Sequence, residues 1–259
     1  MSVAIVDTNL DNVLDYGLCG YKDLRHEGLR RKVNWLEDRF REGMKIKMLC
    51  SDEDGTQGMI EYIPGEYAWR PVDAGGYMFI HCIFVGFKRV YKGKGYGSLM
   101  LDECLKDARK DNLYGVAVLT RKGPFMAGRG LFMKKHFEVV DTAPPDFELL
   151  VKKFNQNAPT PKFAGDRARK LAEYAQGLTI FQSAQCPYLA KCIPEISELA
   201  EKAYGLAPRI IELESCRDAQ ANPCAFGSFG IVYNGRVIAE HPISSKRFTN
   251  IMNKELKTK

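Results

Sequence analysis

Apolar runs along the chain predict strands, and apolar residues at three- and four-residue spacing predict the helices between them. The clearest helix spans 27–41, where Leu29, Val33, Leu36 and Phe40 fall on one face. In the same part of the chain, strands are predicted at 3–6, 45–50, 57–63, 77–85, 113–120, 137–141 and 147–152, and further helices at 9–18, 98–110 and 126–136. Strands that alternate with helices predict an α/β fold.

A glycine-rich turn separates the apolar strand 77–85 from the helix 98–110 and reads Lys-Gly-Lys-Gly-Tyr-Gly at 92–97. Strand, glycine-rich turn and helix point free backbone N–H groups and a positive helix end at a phosphate. The spacing fits neither a P-loop nor a dinucleotide fingerprint. We therefore interpret the turn as a pyrophosphate cradle, with a turn that binds nothing as the alternative.

The turn matches the pattern basic-x-x-Gly-x-Gly through Lys92, Gly95 and Gly97, and so resembles the acyl-CoA loop of the GNAT superfamily of N-acetyltransferases. The family loop begins with Arg or Gln, where this chain has Lys92. The resemblance covers 1–155 and implies an α+β GNAT fold, with a central mixed sheet flanked by helices. It also implies acetyl-CoA as cosubstrate, CoA as product, and cofactor-binding residues Ile83, Phe84, Val85, Lys92, Gly93, Lys94, Gly95, Tyr96, Gly97 and Ser98.

A second segment, 131–137, resembles the GNAT ending Leu-Tyr-x-Lys-x-Gly-Phe, with two departures. Phe132 stands where many family members have the tyrosine that protonates the departing thiolate, and His136 stands where the family has glycine. The identity of the general acid is therefore open, with Tyr77, Tyr91 or water as alternatives.

The chemistry implied by the resemblance is direct transfer of an acetyl group to an amine, which must be neutral to attack. His81, beside the loop, is our candidate base, with Glu61 as its competitor and a hydrogen-bonded core histidine as the plain alternative. Cys82 would mark a covalent route. Backbone N–H groups near Ile83 and Val85 would polarise the thioester. We predict no metal site, and interpret 69–76 as a loop beside the acceptor or a plain surface loop.

The C-terminal part begins after an Asn/Pro-rich patch, so we divide the chain into 1–155, a linker with a connecting helix at 156–176, and a smaller domain at 177–259. Strands 178–182 and 209–213, helices 187–204 and 245–257, and an Asn234-Gly235 hairpin resemble a thioredoxin fold. Leu189 replaces the resolving cysteine and Gly227 replaces the usual cis-proline. The combination also resembles bacterial YoaP-type proteins. Cys186 is either an acidified thiol or part of a domain retained for docking.

Composition narrows the function classes. The 259 residues carry a net charge of +6 without a dense basic face, which argues against nucleic-acid binding. No run is long enough to span a membrane, and eight cysteines without a signal pattern favour a reduced, cytoplasmic protein. The acceptor is expected to be an amine of a small molecule or peptide, and a homodimer is left open. A non-catalytic acyl-CoA-binding protein and a thiol-dependent redox protein acting through Cys186 are the alternative functions.

Overall fold

The computed structural model describes residues 2–257 as two main β-sheets with helices packed around them. Its strands are β1 (Val3–Thr8), β2 (Lys45–Ser51), β3 (Gly55–Pro64), β4 (Val72–Asp73), β5 (Met78–Val85), β6 (Gly115–Thr120), β7 (Glu138–Ala143), β8 (Phe147–Lys153), β9 (Lys162–Phe163), β10 (Leu178–Gln182), β11 (Arg209–Glu212), β12 (Phe229–Tyr233) and β13 (Arg236–Ala239). Its helices are α1 (Val13–Tyr16), α2 (Glu27–Arg41), α3 (Tyr96–Lys110), α4 (Gly130–Met133), α5 (Arg167–Ala172), α6 (Leu189–Tyr204), α7 (Cys216–Ala221) and α8 (Ser245–Lys257).

The larger sheet has seven strands in the order β1-β2-β3-β5-β6-β8-β7, and β5 and β6 are its parallel neighbours. These two strands pair only where Met78–Ile80 lie opposite Val116–Val118, although β5 continues to Val85. Beyond Ile80 they separate. One edge of β5 therefore has no neighbouring strand just before the glycine-rich turn.

A β-bulge changes the direction of the side chains in the middle of β5. Glu61 pairs with Cys82 and Tyr62 pairs with Ile80, so His81 has no partner across the ladder. Ile80 and Ile83 share a core cluster with α3, whereas Cys82 packs against the cluster that contains α2. Strict alternation would place His81 and Cys82 on opposite faces of the sheet. The bulge instead turns both toward the α2 face.

The larger sheet is covered on both faces, as the predicted α/β class requires. Helix α3 packs Met100, Leu101, Cys104, Leu105 and Ala108 against one face. Helix α2 packs Leu29, Trp35 and Leu36 against the other, opposite Ile46, Met48, Met59 and Ile63. The mixed sheet flanked by helices that the sequence predicts is thus present.

The smaller sheet has the order β11-β10-β12-β13, with β10 and β11 parallel and the other neighbours antiparallel. Helices α6 and α8 cover one face through Ile193, Ile196, Phe248 and Met252. The other face contributes Phe181 and Val232 to the same hydrophobic cluster as Trp35 and Trp69. The two sheets therefore share a core.

At two glycines the backbones of the N-terminal and C-terminal parts approach each other closely. A Cβ on Gly28 would lie 2.0 Å from the carbonyl oxygen of Pro187, and one on Gly227 would lie 2.7 Å from the carbonyl oxygen of Trp69. The expected linker is also docked, since β9 pairs with β4 and Ala158 is buried. The division into 1–155, 156–176 and 177–259 stays a prediction. Its first and last segments pack directly against each other.

Several predicted helices have different bounds. The helix expected at 9–18 is only α1, and the one expected at 126–136 is only α4. His136 has a φ of 61°, so the position where the GNAT pattern has glycine does adopt the left-handed region. Helix α6 begins at Leu189 rather than Pro187 and continues through Pro194, which does not interrupt it. No helix within residues 2–257 combines the length and apolar character needed to cross a bilayer.

We predict that Gly28→Ala destabilises the protein even though alanine is the better helix former. In an open helix the change would stabilise by roughly 1 kcal/mol, but here the added methyl group meets the backbone of Pro187. Displacing a packed segment costs about 1–3 kcal/mol. Urea unfolding of both proteins measures the difference.

Gly130→Ala is the matched control, because Gly130 lies in α4 and nothing is within 4 Å of its added Cβ. It should leave stability unchanged or raise it. Equal effects of the two substitutions would contradict the close approach of α2 and the Pro187 segment.

Candidate active site

The N-terminus of α3 has the geometry of an anion site. Gly93 and Gly95 have φ values of 74° and 85°, which side chains rarely adopt, and Gly95 caps the helix without any side-chain bond. The N–H of Leu99 bonds the carbonyl of Gly95, so the N–H groups of Tyr96, Gly97 and Ser98 precede the first α-helical bond and have no acceptor within the helix. No acidic residue lies in the first turn. These free donors and the helix dipole favour a phosphate group.

The free edge of β5 offers a second row of backbone groups. The N–H of Gly86, the residue after β5, donates to the carbonyl of Gln57 in β3, so that edge of the strand faces β3. Because N–H directions alternate along a strand, the N–H of Phe84 also faces β3, and those of Ile83 and Val85 face the open side. Both residues therefore present donors that do not face β3.

One cavity of about 870 Å³ connects the loop, the open edge of β5 and the C-terminal part of the chain. Of the predicted cofactor-binding residues, Ile83, Phe84, Val85, Gly93, Gly95, Tyr96, Gly97 and Ser98 line it. Lys92 and Lys94 do not, and their side chains are exposed. The cavity also includes Cys19, Lys32, Glu61, Arg70, His81, Cys82, Lys134, Gln185, Cys186, Tyr188, Phe226 and Ser228.

We call the part of the cavity lined by Lys32, Glu61, Arg70, Gln185 and Ser228 the inner end. His81 of β5 lies at the border of the inner end. Val85, the last residue of β5, lies where the chain leaves the strand toward the glycine-rich turn. Four residues of extended strand, about 13 Å, separate His81 from Val85. The inner end is thus distinct from the phosphate-binding geometry at α3.

A fully buried ion pair forms the centre of the inner end. The Nζ of Lys32 lies 2.6 Å from Oε2 of Glu61, and neither side chain is more than 2% exposed. Lys32 also donates to the carbonyl of Gln185, whose side-chain Nε2 donates to the other oxygen of Glu61. The pair therefore joins α2, β3 and the segment after β10.

The charge states of this pair follow from its contacts. Burial alone would raise the pKa of the Glu61 carboxyl, but the adjacent ammonium of Lys32 and the neighbouring His81 together outweigh burial and hold that pKa well below its usual range. Burial alone would lower the pKa of Lys32, and the carboxylate of Glu61 reverses this. Both groups stay charged at neutral pH. A carboxylate with so low a pKa is a weak proton acceptor, which argues against Glu61 as the base.

His81 is also held within the structure. Its Nε2 accepts the backbone N–H of Trp69 at 2.9 Å, so the proton of the neutral ring is on Nδ1, 3.5 Å from Oε1 of Glu61. Burial lowers the pKa of His81 to about 4. The structure thus brings His81 and Glu61 together at the cavity. The contacts of His81 are those of a hydrogen-bonded core histidine.

Arg70 lies in the loop between β3 and β4 and is 3% exposed. Its Nη1 donates to the carbonyl of Trp69, to Oε1 of Gln185 and to Oγ of Ser228, and its Nη2 donates to the carbonyl of His81. Burial lowers its pKa to about 10, so it remains protonated at neutral pH. The loop 69–76 therefore turns inward here.

Three thiols line the cavity, and none is acidified. Burial raises the pKa of Cys19 to about 12, and it also raises the pKa values of Cys82 and Cys186. Helix α6 begins only at Leu189, so Cys186 lies outside its first turn. In residues 2–257, no three His, Cys, Asp or Glu side chains are placed to hold a metal ion. The expectation that Cys186 is an acidified thiol is not met.

None of the side chains considered as general acid is free to act. Phe132 is fully buried and packs on Phe137. The hydroxyl of Tyr77 donates to the carbonyl of Pro159, outside the cavity lining. Tyr91 lines the cavity, but its hydroxyl bonds Ser51 and Asp54. Tyr96 and Tyr188 are the other tyrosines of the lining.

Sequence reasoning missed Lys32 and Gln185. Lys32 carried a usable signal, because it lies three residues after Leu29 and four before Leu36, on the apolar face of α2. A lysine there needs a buried partner. Gln185 carried no such signal, since its partners Glu61 and Arg70 are more than 100 residues away in sequence.

We predict that Glu61→Gln costs about 3–5 kcal/mol of stability, because it leaves the ammonium of Lys32 buried without a counter-ion. Adding Lys32→Met to this variant should recover at least half of the loss, since the uncompensated charge is then gone. Chemical denaturation of the wild type, both single variants and the double variant measures the coupling. Additive losses would show that the two side chains do not act as a pair.

A pH dependence is expected from His81. Its folded pKa of about 4 lies below the usual 6.5, so its contribution to stability is complete above pH 6.5 and is lost as the pH falls toward 4. The loss is on the order of 2–3 kcal/mol. His81→Gln keeps an acceptor for the N–H of Trp69 but does not titrate. Unfolding free energies of that variant, measured between pH 4 and 7, should therefore vary less with pH than those of the wild type.

Comparisons with known proteins agree with the sequence resemblance. A family model described as YoaP-like matches residues 209–250. Over 253 residues the chain is 28% identical to YoaP of Bacillus subtilis (strain 168), named as an uncharacterised N-acetyltransferase, covering 96% of this chain and 98% of the relative. This match supports the predicted enzyme class. Neither description mentions a thioredoxin fold.

Solved structures of GNAT-family and related acetyltransferases align with part of the chain. YncA of Salmonella typhimurium with acetyl-CoA is 15% identical, with a TM-score of 0.45, covering 61% of this chain and 96% of YncA. PaiA N-acetyltransferase of Thermoplasma acidophilum with coenzyme A is 16% identical, with a TM-score of 0.42, covering 60% of this chain and all of PaiA. These structures align with about 60% of the chain, whereas the similarity to the Bacillus subtilis N-acetyltransferase extends along nearly all of it.

Proposed function

We propose that this protein is an acetyl-CoA-dependent N-acetyltransferase that moves an acetyl group directly to an amine. One observation carries the proposal: the free N–H groups of α3 and the open edge of β5 line the same cavity. A ligand with a pyrophosphate at one end and an amide-containing arm at the other satisfies both. Acetyl-CoA has this shape and chemistry.

Each part of the site would have a separate role. Backbone donors of Tyr96, Gly97 and Ser98 would bind the pyrophosphate, and the edge at Ile83 and Val85 would bind the pantetheine arm and polarise the thioester carbonyl. In the transfer, the amine nitrogen forms a bond to the acetyl carbon and the carbon–sulfur bond breaks. The amine loses one proton, and the departing thiolate takes up one to give CoA.

The proton steps would use water rather than the nominated side chains. His81 and Glu61 are engaged in buried contacts, and the Cys82 thiol has a raised pKa, so we assign His81 and Glu61 to positioning and give Cys82 no covalent role. Phe132 leaves no tyrosine at the family's acid position. Water in the open cavity can accept the amine proton and protonate the thiolate.

The C-terminal part would be a thioredoxin-like unit that completes the acceptor side instead of a redox domain. Its strand order and its β-α-β and β-β-α sequence of elements support the likeness. The missing dithiol and the raised pKa of Cys186 argue against redox chemistry. Gln185, Tyr188, Phe226 and Ser228 of this part line the cavity. A cytoplasmic location and a homodimer remain predictions.

We expect Gly97→Glu to abolish acetyl-CoA binding while preserving the fold. Gly97 is the second residue of α3, where a carboxylate stabilises the helix dipole by about 0.3–1 kcal/mol. Its added Cβ meets only Leu131 and Val85, at 3.5 Å or more. The same carboxylate would repel a pyrophosphate. Calorimetry should show at least a hundredfold loss of affinity without a lower melting temperature.

Gly75→Glu is the charge-matched control, because Gly75 is exposed in a loop outside the cavity and nothing surrounds its added Cβ. It should bind acetyl-CoA as the wild type does. Gly95→Glu is a poorer probe, since its φ of 85° would strain any side chain. Unchanged binding by Gly97→Glu, or no binding by the wild type, would rule out the cradle.

A further inference from the structure

The inner end of the cavity carries an unbalanced positive charge. Its charged residues are Lys32, Glu61 and Arg70, and Glu61 is already paired with Lys32. No other acidic residue in the described part of the chain lines the cavity. Arg70 is therefore a buried cation without a carboxylate partner. Burying such a charge is costly unless a counter-ion is supplied.

Arg70 also retains unused donors. A guanidinium has five N–H donors. Acceptors take both hydrogens of Nη1 and one of Nη2, while Nε is buried and has no acceptor within residues 2–257. The ring centroid of Phe226 lies 5.1 Å from the guanidinium carbon, so the ring packs against the guanidinium. The group is thus held in place with hydrogen-bonding capacity to spare.

We propose that the acetyl acceptor is an amine that carries a carboxylate, and that Arg70 binds this carboxylate at the inner end. The proposal rests on the proposed function, since the acceptor must meet the thioester bound along β5. The C-terminal part contributes Gln185, Ser228 and Phe226 to this subsite. It is therefore a substrate-binding element.

The charge balance favours a carboxylate over a phosphate. Two cations and one carboxylate leave the inner end with a net charge of one, which a carboxylate neutralises and a phosphate dianion would exceed. Gln185 contributes a neutral amide oxygen to Arg70 at 2.7 Å. A substrate carboxylate can bind beside that oxygen through the unused donors of Arg70 and leave the Lys32–Glu61 pair unaltered.

The test compares matched ligands on the full chain saturated with CoA, which prevents turnover. The probes are the twenty proteinogenic L-amino acids, each against its own α-carboxamide, which keeps the amine and removes the carboxylate. Thermal shift identifies the pairs that bind, and calorimetry gives the affinities. At least one amino acid should bind tenfold or more tightly than its amide. Acetyl-CoA binding is measured separately, so failure of the cosubstrate site is distinguished from failure of the carboxylate subsite.

Ser228→Asp and Ser228→Asn provide the matched variants. The Oγ of Ser228 lies 3.3 Å from Nη1 of Arg70, so an aspartate there supplies an internal carboxylate to the guanidinium. The preferred amino acid should bind Ser228→Asp at least tenfold more weakly than it binds Ser228→Asn, which has nearly the same size and no charge.

Three results would overturn the carboxylate subsite: equal binding of acids and amides, no binding by any probe to the CoA-loaded wild type, or equal effects of the two Ser228 variants. The comparison of acids with amides uses the wild type alone. It therefore remains decisive if a variant does not fold.

Discussion

The buried ion pair between Lys32 and Glu61 is the interaction on which the rest of this structure depends. It joins a helix of the N-terminal part to the central sheet, and through Gln185 it ties both to the C-terminal part. In our interpretation its main effect is on specificity rather than net stability. Any arrangement that separates the two side chains leaves a charge buried and unpaired, which costs several kcal/mol by itself.

This constraint shapes the candidate site. The pair holds Glu61 ionised beside the bulged His81, so the two residues that the sequence nominated as bases are both held in buried contacts. It also leaves Arg70 without a carboxylate partner among the described residues of the inner end. The loop end and the inner end of the cavity thus have different chemistry, backbone donors for a phosphate at one and a guanidinium at the other. A two-substrate transfer reaction needs such a division.

The C-terminal part has a structural and a functional role in this arrangement. Phe181 and Val232 complete the core around Trp35 and Trp69, and Gln185 and Ser228 reach the cavity. A glycine at 28 and another at 227 allow the two backbones to approach closely. Because the inner end of the cavity is built from both parts, removing either one would open it.

The sequence alone determined most of the elements and the glycine-rich turn at the start of α3. Hydrophobic spacing predicted α2 and α3 closely, and glycine spacing between a strand and a helix predicted the cradle, because these signals are local. Tertiary structure alone decided the role of His81, the partners of Lys32 and the position of Arg70. These features depend on how distant segments pack, because they comprise a one-residue bulge, a buried charge and contacts between residues more than 100 positions apart. A local sequence pattern does not contain that information.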